Sequence, residues 1–193
     1  MDYELSIAKR IADELLDRLR SSCVQIEIAG SIRRRSPWVH DIELVAEPWL
    51  EIGLATDLFG DAATHYHSRL DDALADLQEE LILRSFPGAK HGDRFKQFAI
   101  APTGIKLDLF IVRPPAQWGA IMAIRTGPAH YSHWLVTPRR QGGAMPGHLR
   151  QRDGAIWDGD TLLPTPTEGD YFAALGINPI PDPWDRHPAW RRS

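Results

Sequence analysis

The 193-residue chain has one cysteine, Cys23, so it can form no internal disulfide, and a reducing compartment is the expectation. No stretch approaches the roughly 18 consecutive apolar residues of a membrane span. Acidic residues run through residues 1–20, where a secretory or mitochondrial leader carries none, so a cytoplasmic location and no membrane partner are expected. Hydrophobic residues at 43% and charged residues at 25% exclude a largely disordered chain and fit one domain or two small subdomains sharing a core. The net charge of −4 argues at first against a nucleic-acid partner. Its distribution says otherwise. Residues 1–108 hold 13 Lys/Arg against 19 Asp/Glu, whereas residues 109–152 hold six arginines (Arg113, Arg125, Arg139, Arg140, Arg150, Arg152) and no acid. That acid-free stretch reads as an anion-binding face, with phosphates the most plausible anion.

Apolar spacing predicts helices over 6–19 and 67–83, the second stopped by Phe86-Pro87-Gly88. Branched, apolar runs predict strands over 24–29 and 41–46, joined by a basic loop over 30–40. Residues 51–59 are ambiguous. Strands over 94–100 and 106–112 form an antiparallel hairpin around Ala101-Pro102-Thr103-Gly104. Beyond Pro114 the texture changes to Gly, Pro, Trp and His. A short helix is expected between His130 and Arg140, and another over 168–175, with Thr167 as its N-cap and Gly176 as its C-cap.

The informative segment runs from Ala29-Gly30-Ser31-Ile32-Arg33-Arg34-Arg35 to His40-Asp41-Ile42-Glu43-Leu44. Asp41 and Glu43 are two apart on a strand, so both point to one face, and their repulsion calls for a cation between them. Such oxygen donors suit Mg²⁺ or Mn²⁺. Gly30 permits close backbone approach, Ser31 offers a hydroxyl, and the arginines offer forks for phosphate. Asp108, alone in the apolar run Lys106-Leu107-Asp108-Leu109-Phe110, is the third acid. A strand lying beside residues 41–46 would bring it to the same ions, the arrangement used for in-line phosphoryl displacement. One such acid alone reads as ordinary strand surface. Three of them behind a Gly-Ser-Arg loop do not.

These residues resemble a known group. Gly-Ser, nine residues, then an acid-x-acid pair within apolar positions is similar to the signature of the DNA polymerase beta-type nucleotidyltransferase superfamily. The stretch 28–34 resembles the phosphate-binding loop of the family X DNA polymerases. The stretches 90–97 and 106–110 resemble their palm hairpin. Pro114-Pro115-Ala116-Gln117-Trp118-Gly119 with Arg125-Thr126-Gly127 resembles the start of their thumb. Glu168-Gly169-Asp170-Tyr171-Phe172 through Ile180-Pro181 resembles their C-terminal end. The match runs nearly the whole chain in order.

The resemblance implies an α+β chain: a nucleotidyltransferase palm over 1–113, with a mixed or antiparallel sheet and helices on one face, then a small α+β thumb over 114–193. It implies that Asp41 and Glu43 ligate two metal ions and Asp108 the catalytic one. Gly30, Ser31 and Arg34 would hold the triphosphate, Thr126 and Gly127 the nucleotide's sugar and base, and Lys106 a place near the primer end. Arg125, Arg139 and Arg140 stand as nucleic-acid contacts. The implied reaction adds a nucleotide to a primer 3′-OH with release of pyrophosphate, as in short-gap or repair synthesis. It uses two Mg²⁺ or Mn²⁺ ions, a nucleoside triphosphate and primer-template or gapped DNA, with the chain acting as a monomer.

Departures from the family pattern are Glu43 for the usual Asp, Ile124-Arg125 for the usual aromatic pair, and Ser132 and Val136 for frequent Asn and Arg. The lyase and helix-hairpin-helix segments have no counterpart, which suits a minimal enzyme of a bacterium, phage or virus-infected cell. Two other readings stand beside this one: a template-independent nucleotidyltransferase acting on nucleic-acid ends or a small acceptor, and a nucleic-acid-binding protein with a decayed site. Zinc at His65/His67 or His130/His133 is not expected, since no cysteine pair completes either set. His40 adjoins the triphosphate loop, and Trp134 and Trp157 offer rings that could stack on a base.

Overall fold

Ala8, Ile11, Ala12, Leu15, Leu16 and Leu19 recur three and four apart and are all buried, so α1 (Leu5–Leu19) lies with one stripe against the interior. The computed structural model describes residues 1–56 and 62–186. A short strand, β1 (Tyr3–Glu4), precedes α1. After it come β2 (Cys23–Ile28), a one-turn helix α2 (Gly30–Arg33), β3 (Trp38–Val39) paired with β1, and β4 (Asp41–Pro48). A hairpin of β5 (Leu50–Thr56) and β6 (Ala62–Ser68) leads to α3 (Arg69–Glu79) and β7 (Leu83–Arg84), then to β8 (Phe95–Ile100) and β9 (Ile105–Ile111). The main sheet has the order β2-β4-β9-β8-β7. It is antiparallel except for β4 and β9, which pair in parallel. Parallel neighbours need a crossover, and residues 49–104 supply it.

Strand alternation divides this sheet into two unlike faces. Ile42, Leu44 and Ala46 on β4 and Leu107, Leu109 and Ile111 on β9 join the apolar residues of α1 and α3 in one core. The opposite face carries Asp41, Glu43 and Val45 beside Lys106, Asp108 and Phe110.

The C-terminal half begins with α4 (Trp118–Thr126) and α5 (Ala129–Val136). The antiparallel meander β10 (Leu149–Arg152), β11 (Ala155–Asp158) and β12 (Thr161–Leu163) follows, and α6 (Glu168–Ala174) comes after it. A second core of Ala120, Ala123, Tyr131, Leu135, Ile156, Tyr171 and Phe172 holds these elements together. A third cluster joins the halves, with Met122 of α4 and Ala116 packed on Val45 and Phe110. The chain is an α+β protein, with a mixed sheet and six α-helices among the described residues.

Several boundaries differ from the sequence reading. The expected loop over 30–40 opens with α2 and contains β3. The second helix is shorter than expected: His67 belongs to β6, Ser68 caps α3 by accepting from the Asp71 N–H, and Leu83 belongs to β7. Residues 51–56 of the ambiguous stretch are strand, and residues 57–59 lie outside the described residues. Helix α4 was not foreseen. Its Gly119 is required by close packing, since a Cβ there would stand 1.9 Å from the Thr167 carbonyl oxygen. At α6, Thr167 caps through a reciprocal bond with Asp170, and Gly176 follows with φ +63.

Candidate active site

The parallel register sets Asp41 opposite Lys106 and Glu43 opposite Asp108, so all four side chains stand on the same sheet face. Lys106 Nζ donates to Asp108 Oδ2 at 2.9 Å and lies 3.1 Å from Asp41 Oδ2. Burial works against the ammonium, but its bonds to Asp108 and Asp41 outweigh that and hold it above the usual lysine range. The other Asp108 oxygen accepts from Gln97 Nε2 at 2.8 Å. Glu43 makes no ion pair among the described residues. Burial first, then the charges of Asp41 and Asp108, push its carboxyl up to about 7, with Arg34 pulling the other way. A carboxylate held so far from its ordinary value beside two others marks a place short of positive charge.

Gly30 stands where the chain turns from β2 into α2. Its φ of +59 favours glycine, and a Cβ on it would meet Glu43 Oε2 at 1.7 Å. The loop is therefore in contact with Glu43. Beside it, the buried Ser31 Oγ has no hydrogen-bond partner, an uncommon state for a hydroxyl and a sign of a missing acceptor or donor.

The arginines of the loop reach across to the C-terminal half. Arg34 donates to the Thr126 carbonyl at 2.7 Å. Arg33 donates to Thr126 Oγ1 at 2.6 Å and to Glu168 Oε2 at 2.5 Å, while Arg186 takes the other Glu168 oxygen at 2.7 Å. Glu168 is held below the usual glutamate range by Arg33 and Arg186, against a burial effect that raises it. Arg35 lies over the Trp184 ring at 4.2 Å. Thr126 is fully buried, and Gly127 packs so closely that a Cβ would meet the Tyr131 ring at 2.6 Å. Arg125 is exposed, stacks over Phe110 at 3.9 Å, and carries a charge felt by Glu43 and Asp108.

The structure thus gathers Gly30, Ser31, Arg34, Asp41, Glu43, Lys106, Asp108, Arg125, Thr126 and Gly127 around one sheet face and its border. Lys106, expected near a primer end, has its ammonium resting on Asp41 and Asp108. Arg139 stands apart. It donates to the carbonyls of Leu175 at 2.6 Å and Ala144 at 3.2 Å and so ties α6 to the chain before β10. Arg140 is exposed and makes no ion pair among the described residues.

Two contributors escaped the sequence reading. Gln97 could have been found from the hairpin register, since pairing Ile100 with Ile105 sets Gln97 opposite Asp108. Glu168 stood out only as a helix start and as part of the stretch resembling the family's C-terminal end, neither of which signals its reach to Arg33.

Other side chains have local partners. His40 meets Asp2 at 3.1 Å, His67 meets Asp72 at 2.6 Å, and His133 lies by Thr137, while the His65 side chain is outside the described residues. Arg152 covers the Trp157 ring at 4.4 Å. Burial pushes the Cys23 thiol up to about 12, which suits a small apolar core residue.

Three carboxylates, a buried free hydroxyl and a glycine pressed on Glu43 fit a divalent cation by their chemistry. Among the described residues no three His, Cys, Asp or Glu side chains are drawn together tightly enough to grip an ion as they stand, and Lys106 lies on two of the acids.

No protein-family profile matches the chain, and no curated protein does. Solved structures do, in 232 chains. One is a ternary P/T complex of Leishmania infantum polymerase beta, at 15% identity and a TM-score of 0.68. The match covers 97% of this chain and 77% of that one. Among the described residues no helix is long and apolar enough to cross a membrane. The chain has a polymerase beta-like fold.

Proposed function

We propose that the chain is a nucleotidyltransferase that adds nucleotides to the 3′-OH of a DNA primer and releases pyrophosphate, in gap-filling or repair-type synthesis. The observation carrying this reading is the placement of Asp41, Glu43 and Asp108 on one face of two parallel strands, against the Gly30-Ser31 loop. Residues 1–113 act as palm and 114–193 as thumb. Divalent cations held by the three carboxylates, when bound, supply neutralisation of charge on the attacking and leaving oxygens.

The remaining work is done by the protein's own groups. Gly30 lets the loop backbone come close, and Ser31 Oγ, buried and unpaired, donates to a phosphate oxygen of the incoming nucleotide. Arg34 turns from the Thr126 carbonyl to the triphosphate, whose charge outcompetes a carbonyl. Thr126 and Gly127 border the sugar and base. Gln97, beside Asp108 on the neighbouring strand, fixes its orientation. Positioning and charge neutralisation together supply most of the rate. Arg125 and Arg140, both exposed, meet the nucleic acid.

Primer extension on gapped, recessed and single-stranded DNA, with Mg²⁺ or Mn²⁺ and each nucleotide offered singly, tests this reading. Templated addition on gapped or recessed DNA is expected. Untemplated addition on single strands points instead to end-acting transfer. DNA binding without incorporation overturns the enzyme reading.

A further inference from the structure

Three carboxylates on one sheet face repel one another, and an apo protein must offset that repulsion from its own charges. Lys106 does so most directly. Its Nζ reaches one oxygen of Asp41 at 3.1 Å and one of Asp108 at 2.9 Å, although its side chain is only about one-third exposed. Arg34 acts on Glu43 and Asp41, and Arg125 acts on Glu43 and Asp108. These cations offset the acids in part: Lys106 is seated on Asp41 and Asp108, while Glu43 has no ion pair among the described residues.

We propose that Lys106 is a resident counter-ion, seated on the carboxylate oxygens that a divalent cation needs, and that it sets the metal affinity of the free protein. The inference rests on the metal-dependent reading of this site. Ammonium and metal compete for the same oxygens, Asp41 Oδ2 and Asp108 Oδ2, so an ion gains those oxygens only when Lys106 leaves. A lysine suits such a post. It is a point charge on a flexible stem and can swing away, whereas a planar guanidinium would fork between the two acids and hold on. An arriving triphosphate, with several negative charges, offers the displaced ammonium a new partner. The free protein thus loads metal poorly, and loading improves with nucleotide.

The test is a Mn²⁺ titration of the full chain without nucleotide or DNA, following free Mn²⁺ by electron paramagnetic resonance, with a thermal melt on each variant. Lys106→Met, which keeps the stem and removes the charge, is expected to bind Mn²⁺ about tenfold tighter or more than the wild type. Lys106→Gln should tighten binding similarly, which keeps the test available if the methionine variant does not fold. Lys106→Arg should bind no tighter than the wild type. Equal affinities in wild type, K106M and K106Q, with weaker binding in Asp108→Ala, would mean that the acids hold metal but Lys106 does not govern it, and the inference falls alone. No Mn²⁺ bound by any folded variant overturns both the inference and the metal reading beneath it.

Discussion

The two faces of the main sheet use the same strands for opposite ends. Ile42 and Leu44 on β4 and Leu107 and Leu109 on β9 are wholly buried under α1 and α3. Full burial of each such side chain is worth about 1.5–3 kcal/mol. One residue along, Asp41, Glu43, Lys106 and Asp108 stand on the other face, where Glu43 is forced toward protonation and Lys106 bridges two acids. The buried face holds the strands in place, and the acidic face spends part of that stability on an arrangement that favours a ligand. Stability and activity should therefore separate cleanly between neighbouring residues.

The largest expected effect is on catalysis alone. Glu43→Ala should lower nucleotide incorporation by about a thousandfold, the scale seen when one charge-stabilising group is removed. Its melting temperature should stay level or rise, since a destabilising carboxyl is gone. A melting temperature that falls with activity would erase the contrast between the faces. Next comes Leu107→Ala on the buried face. It should lose about 2–5 kcal/mol in urea unfolding, with the folded fraction keeping its incorporation rate per molecule.

A smaller effect concerns pH. Glu43 titrates near 7 in the folded protein against an ordinary 4.5, so the native state holds its proton longer than the unfolded chain. Metal-free stability should then fall as pH rises through that interval, by about 2 kcal/mol after allowance for partial solvent access, and level off above it. Urea unfolding in EDTA from pH 4.5 to 8 measures this, and Glu43→Gln should flatten the slope. A divalent cation should reverse the trend. The smallest effect is at the exposed Lys9–Asp13 pair on α1, where Asp13→Asn should change stability by less than about 0.5 kcal/mol.

The acidic face was legible because a carboxylate in an apolar strand is conspicuous, and three of them behind Gly30-Ser31 form a pattern. The buried face was legible from alternation alone. What the chain does not spell out is pairing across distance. Nothing local says that Glu43 faces Asp108, because the parallel register is set across a crossover of more than fifty residues. The junction between the halves was hidden for the same reason: Arg33 and Glu168 are 135 positions apart. Helix α4 was obscured by its setting of Pro and Gly, although Gly119 marks a close contact with Thr167. The meander was obscured by strands as polar as β10, Leu-Arg-Gln-Arg. The arginine-rich, acid-free stretch reads differently in the fold. Arg139 is occupied with carbonyls, Arg113 with Asp71 and Arg152 with the Trp157 ring and Asp153, which leaves Arg125, Arg140 and Arg150 as exposed candidates for phosphate.

The most direct measurement pairs pyrophosphate release with primer extension on gapped DNA, for the wild type and Asp108→Ala at matched folded concentration. The account predicts one pyrophosphate per nucleotide added by the wild type, dependence on a divalent cation, and neither product from the variant. Extension by Asp108→Ala at the wild-type rate, or extension that needs no divalent cation, would contradict it.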